Sequence, residues 1–191
     1  MIRTFWKYTI FIFIAASIMV ADSSLAKEGF FLGAQLPVND VRGDFNGLTN
    51  PEVNQGIGFG LIAGYGFSRN FSLEIDWSGS SHHAEGAKIG FGEFSLNAKY
   101  AFDTEHKMKP FFFAGAGAFA LGDNSLMFGG RGFNIGFGGD YYVGEKTSLG
   151  IGFIMKFITY DKITKSEGPA TLAGDINGDT ASIRFDLTRH F

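Results

Sequence analysis

From Gly56 to Phe67 the side chains alternate with a period of two. Ile57, Phe59, Leu61, Ala63, Tyr65 and Phe67 fall on one face, and Gly56, Gly58, Gly60, Ile62, Gly64 and Gly66 on the other. Such alternation describes a β-strand whose two faces meet different surroundings. The pattern returns along the chain. From Leu149 to Thr159, Leu149, Ile151, Phe153, Met155, Phe157 and Thr159 oppose Gly150, Gly152, Ile154, Lys156 and Ile158. Phe71, Leu73, Ile75 and Trp77 oppose Ser72, Glu74 and Asp76, while Phe133, Ile135, Phe137 and Tyr141 oppose Asn134, Gly136, Gly138 and Asp140. These runs are about ten residues long, the length a tilted strand needs to cross a bilayer. Past residue 26 no long segment carries a helical period.

Four further strands complete a set of eight. Gly29 to Leu36 places Phe30, Leu32, Ala34 and Leu36 on one side. Lys88 to Phe102 sets Phe94, Leu96, Ala98 and Tyr100 against Glu93, Ser95, Asn97 and Lys99. Ile89 and Phe91 fall out of phase there, so a β-bulge is expected near Gly92. Pro110 to Leu121 contains three consecutive phenylalanines and is read with Gly115 and Gly117 inward. Thr180 to Phe191 sets Ile183, Phe185, Leu187, Arg189 and Phe191 against Ser182, Arg184, Asp186 and His190. Arg189 lies near the chain end, where a lipid-facing arginine costs about 0–1 kcal/mol at a membrane interface.

Composition fits this reading. The chain holds 28 Gly and 23 Phe in 191 residues, and one architecture wants both: a transmembrane barrel with large apolar residues toward lipid and small or polar ones in a narrow interior. Links 68–70, 103–109 and 144–146 are short, whereas 37–55, 78–87, 122–131 and 161–179 are longer. Short periplasmic turns alternating with longer external loops give that asymmetry. The expected fold is all-β: an eight-stranded antiparallel transmembrane β-barrel over residues 27–191.

Residues 1–26 read as a cleaved signal peptide. Arg3 and Lys7 precede a short apolar run, and Ser24-Leu25-Ala26 supplies small residues before a cut. The run is shorter than the roughly 20 residues of a spanning helix; the alternative is an uncleaved N-terminal anchor. There is no cysteine, hence no disulfide and no thiol for a lipoprotein anchor. The net charge of −3 offers no basic field for nucleic acid.

The glycine-rich strands, the segment Gly136-Phe-Gly-Gly-Asp-Tyr-Tyr-Val-Gly-Glu-Lys-Thr-Ser-Leu-Gly-Ile-Gly-Phe153 and the terminal Phe191 resemble the OmpA/OmpX-type small outer-membrane β-barrel family across the mature chain. The resemblance implies a bacterial outer-membrane location, outer-membrane lipid as surroundings and a monomer. It also implies that Phe191 is read by the barrel-assembly machinery. OmpA continues into a periplasmic peptidoglycan-binding domain that this sequence lacks, so no cell-wall tether is expected.

Candidate functional residues fall in three groups. Glu74, Asp76, Glu93, Lys99, Asp140, Lys156, Arg184 and Asp186 share the inward face and form the expected lumen polar network. Lys99 lies across from Glu74 on a neighbouring strand, and Lys156 lies beside the strand carrying Asp186. Mixed signs favour a filled lumen over a selective pore, since charges there need partners; a narrow ion path is the alternative. Ser80, Ser81, His82, His83 and Glu85 offer a nucleophile, a base and a carboxylate, yet strand neighbours diverge, and a solvated loop tip accounts for them. Asp175-Ile-Asn177-Gly-Asp179 begins like a calcium loop, but Thr180 stands where that motif requires glycine. Gly115-Ala-Gly-Ala-Phe-Ala120 matches a dinucleotide fingerprint without its βαβ context. No catalytic residue, cofactor or metal is expected. The expected function is non-enzymatic: envelope structure or surface interaction through loops 37–55 and 161–179. The alternatives are a small passive channel and a lipid A-modifying acyl hydrolase or transferase.

Overall fold

In the computed structural model, which describes residues 28–43, 55–84, 87–165, 168–170 and 174–191, the chain is built from antiparallel strands. These are β1 (Gly29–Gly43), β2 (Gly56–Gly66), β3 (Phe71–Ala84), β4 (Ala87–Ala101), β5 (Met108–Gly122), β6 (Leu126–Tyr142), β7 (Thr147–Lys165), β8 (Gly168–Ala170) and β9 (Ile176–His190). Each wall strand pairs with its chain neighbour from β1 to β7, β7 pairs with β9, and β9 returns to β1. The result is the expected closed eight-stranded barrel. The three-residue β8 pairs with the outer part of β7. Closure leaves the wall with no free sheet edge, which a bilayer interior demands of any β structure. The expected signal peptide, residues 1–26, lies outside the described residues.

The outward face is a continuous apolar belt. Leu149, Ile151, Phe153, Met155 and Phe157 on β7 are exposed, as are Phe133, Ile135 and Phe137 on β6 and Ile183 and Phe185 on β9. At the end where the short turns lie, aromatic rings gather into a girdle: Phe30 on Tyr65 (4.9 Å), Tyr65 on Phe67 (5.0 Å), and Tyr100 on Phe102 (5.3 Å). Amphipathic rings settle at a membrane–water interface. Arg189 is at this end too, donating to Thr147 Oγ1 at 2.9 Å.

Three expectations change. The strands run further outward than expected: β1 continues past Leu36 to Gly43, β3 past Trp77 to Ala84, and β7 past Thr159 to Lys165. Segments 37–55, 78–87, 122–131 and 161–179 are therefore partly barrel wall rather than loop, β6 starting already at Leu126. The expected bulge near Gly92 is absent, because the β3–β4 register is unbroken from Phe71↔Tyr100 to Ala84↔Ala87. A register shift occurs instead between Gly129 and Gly130. Ile89 and Phe91 simply point inward with Glu93, for a reason that follows from the polarity of the wall.

Above the belt that polarity inverts. Beyond Phe157, Phe133 and Trp77, outward positions on β7, β6 and β3 carry Thr159, the ion pair of Arg131 and Asp161 (3.6 Å), Ser81 and His83, while Ile57 and Met127 stay apolar and exposed. Inside at this height, Val41, Phe91, Phe119, Leu121, Phe128, Ile158, Tyr160 and Ile176 form one buried apolar cluster, with Ser80 and His82 buried beside it on β3. The period of two persists through both regions, while its sense reverses where lipid gives way to water. The barrel thus carries an outward extension with an ordinary buried core.

On β5, Gly115 and Gly117 face inward as expected, with Phe111 and Phe113 buried on the same side and Phe112 exposed. Inward glycines make room for the inward rings. A Cβ on Gly136 would lie 2.5 Å from the Phe113 ring, and one on Gly138 2.7 Å from that of Phe111.

Candidate functional site

The lumen is arranged in layers. Near the short-turn end, Arg184 of β9 reaches across to β3. Its Nη1 donates to Asp76 Oδ2 at 3.1 Å and to Glu74 Oε1 at 3.4 Å, and its Nε lies 3.4 Å from Asp186. Its guanidinium also covers the Phe113 ring at 5.2 Å. Lys99 pairs with Asp140 at 2.9 Å and with Glu74 at 3.9 Å, and sits 4.0 Å over the Phe111 ring. Lys156 donates to Glu93 Oε2 at 2.5 Å, across the lumen from β7 to β4. Glu93 also accepts from Ser95 Oγ at 3.0 Å. All eight residues of the expected polar set lie on the inner wall. β7, carrying Lys156, does lie beside β9, carrying Asp186, while the Lys156 ammonium reaches Glu93 on the opposite wall, because a narrow barrel brings opposite walls within side-chain reach.

Above the ion pairs lies a neutral polar layer missed in the sequence. Asn39 Nδ2 donates to Ser80 Oγ at 2.8 Å, and Ser182 Oγ donates to Asn39 Oδ1 at 2.5 Å. Ser80 Oγ is also hydrogen-bonded to His82 Nε2 at 2.8 Å. Its signal was parity: Ser78, Ser80 and His82 continue the inward series of Glu74 and Asp76. Ser80 and His82 share a face, whereas Ser81 and His83 point out. The serine and imidazole are thus within hydrogen-bond distance, but His82 is fully buried and edge-on to Phe91. Glu85 lies outside the described residues.

The remaining motifs dissolve into strands. Asn177 and Asp179 are outward residues of β9, and Thr159 Oγ1 donates to Asn177 Oδ1 at 3.3 Å. Asp186, at the twelfth place of that supposed calcium loop, belongs to the Arg184 network. Gly115 to Ala120 is part of β5, with β6 and no helix after it. Among the described residues, no three histidine, aspartate or glutamate groups converge to hold a metal.

A closed antiparallel wall, an encircling apolar belt, an interfacial aromatic girdle and an ion-paired interior define a small transmembrane β-barrel. The chain belongs to the outer membrane protein beta-barrel domain family, which it matches over residues 9–188. It is a protein of the Gram-negative bacterial outer membrane. The fold is similar to that of Neisserial surface protein A (TM-score 0.68, 16% identity, covering 85% of this chain and 97% of that one). It is also similar to the outer membrane protein OprG from Pseudomonas aeruginosa (TM-score 0.53, 15% identity, 88% and 99% covered). No curated protein sequence matches it.

Proposed function

We propose that this is a non-enzymatic outer-membrane barrel with a side-chain-filled lumen, contributing to envelope structure and meeting the outside through its extension and loops. The observation that carries this reading is the apolar cluster across the outer lumen, from Val41 and Phe91 to Tyr160 and Ile176. An ion entering from outside would have to leave its water before reaching the first polar layer, at a cost of several kcal/mol. Below it, Arg184, Lys99 and Lys156 are already held by carboxylates. External contacts fall to 37–55, 161–179 and the strand ends they include. The Phe191 amide donates to the Phe30 carbonyl at 2.9 Å while its side chain stays exposed, an arrangement that suits a terminal signal read by the assembly machinery.

Planar-bilayer recordings of the purified barrel are expected to show no conductance steps. Truncating the cluster with Phe91→Ala, Phe119→Ala and Leu121→Ala together is expected to produce them. Steps from the unaltered protein would establish the passive channel instead. The Ser80–His82 contact is the observation that favours an acyl-transfer reading. The full burial of His82 denies a lipid substrate access, so lipid A mass spectra are expected to be unchanged on overexpression.

A further inference from the structure

The charges of the inner wall do not balance. Further out, Lys156 and Glu93 pair one to one, and at the rim Lys109 donates to Asp103 at 2.7 Å. Between these, among the described residues, Glu74, Asp76, Asp140 and Asp186 face Lys99 and Arg184. Four carboxylates against two cations leave two negative charges in excess. In a narrow interior each uncompensated charge costs several kcal/mol.

The excess gathers in one row. Asp140 of β6 pairs with Gly150 of β7, and Gly150 with Asp186 of β9. The Asp186 carboxylate lies over the glycine, since a Cβ there would be 2.4 Å from both of its oxygens. The two aspartates thus flank a bare position. Lys99 holds Asp140 Oδ2 at 2.9 Å, and Thr188 Oγ1 donates to Asp186 Oδ1 at 3.3 Å. The second oxygens, Asp140 Oδ1 and Asp186 Oδ2, accept no hydrogen bond among the described residues, although the two residues are only 7% and 6% exposed. Arg184 Nε stands 3.4 Å from Asp186 Oδ2 without hydrogen-bonding to it. Beside this row lies a cavity of about 40 Å³, lined by both aspartates, Ser148 and Thr188 and reaching the β2–β3 turn. Ser148 and Thr188 are cross-strand partners one row nearer the mouth. Arg69 at the lip is exposed, so water and salt screen it.

We infer that this cavity binds one divalent cation of calcium size, held by Asp140, Asp186 and the hydroxyls of Ser148 and Thr188 and reached from the periplasmic side. One divalent ion cancels the excess charge, whereas a monovalent ion leaves half of it. The donors are all oxygen, the set that hard cations take. Magnesium keeps several waters, and at roughly 30 Å³ each they do not fit the space. Two carboxylates converge rather than three, so the affinity expected is that of weak extracellular sites, about 10⁻⁴ to 10⁻³ M. The site stands whether or not the outer lumen conducts, because it opens at the other end.

The test titrates calcium chloride into the full ¹⁵N-labelled barrel, refolded in nonionic detergent at neutral pH, and follows the backbone amides by NMR. Saturable shifts are expected at Asp140, Ser148, Gly150, Asp186 and Thr188. Magnesium or potassium chloride at equal ionic strength is expected to move them far less. Asp186→Asn and Asp140→Asn are each expected to weaken calcium binding by about tenfold, as losing a group that organises a metal does. Asp179→Asn removes an acid from the calcium-like run 175–179 at the opposite end of the wall and is expected to change nothing. Heat-modifiable migration verifies folding, and either aspartate variant serves should the other not fold. No saturable shift at these residues, the outcome if protons alone meet the excess, overturns the proposal. So does undiminished binding in the folded aspartate variants, equal response to magnesium, or a loss confined to Asp179→Asn.

Discussion

Arg184 is 1% exposed and faces Glu74, Asp76 and Asp186 at once. Such a group contributes to stability only through its partners, because desolvation opposes it and the carboxylates it neutralises alike. Removing it alone strands three acids in a narrow interior. Arg184→Met is therefore expected to destabilise the barrel by about 3–5 kcal/mol, the usual cost of breaking a buried pair, measured by urea unfolding in lipid vesicles. Neutralising the acids as well, with Glu74→Gln and Asp76→Asn, is expected to restore part of that loss. An Arg184→Met barrel as stable as the original would show that the network contributes nothing. The three lumen cations share a second habit. Lys99 lies over Phe111, Arg184 over Phe113 and Lys156 over Phe91, so the inward rings cover the charges from beside while the carboxylates hold them end-on.

Those rings belong to strands that make room for them. Across the β5–β6 pair Phe113 stands opposite Gly136, and Phe111 opposite Gly138. Large and small residues thus interdigitate on the inner wall. Gly136→Val is expected to cost about 1–3 kcal/mol, as overpacking of a tight core does. Adding Phe113→Leu should recover part of it, a coupling that a double-mutant cycle would measure. Additive effects would mean that the two side chains do not meet. At the β5–β6 turn a different constraint applies. Gly122 has φ 148°, and the Asp123 carboxylate accepts the amides of Ser125 and Leu126 at 2.7 and 2.9 Å. That caps the chain reversal with local bonds and leaves the wall pairing intact.

At the scale of the molecule, two barrels of opposite polarity share one set of strands, apolar-out within the lipid and apolar-in beyond it. The absence of cysteine makes this boundary measurable. On intact cells a membrane-impermeant maleimide is expected to label Thr159→Cys, and to leave Phe153→Cys on the same outward face unlabelled. Equal labelling of both would displace the boundary. Composition, link lengths and the family resemblance added the closed outer-membrane barrel; alternation by itself determined the strand set and the inward parity of Glu74, Asp76, Glu93, Lys99, Asp140, Lys156, Arg184 and Asp186. These follow from local geometry, because successive side chains of a strand must point to opposite faces. Tertiary structure alone decided which charges meet, since Lys156 and Glu93 are 63 residues apart and joined only by closure across the lumen. It alone also decided how far the strands rise. Parity says which side a residue faces but not whether water or lipid lies there, so Ile89 and Phe91 read as a break in a pattern that in fact continues into a second environment.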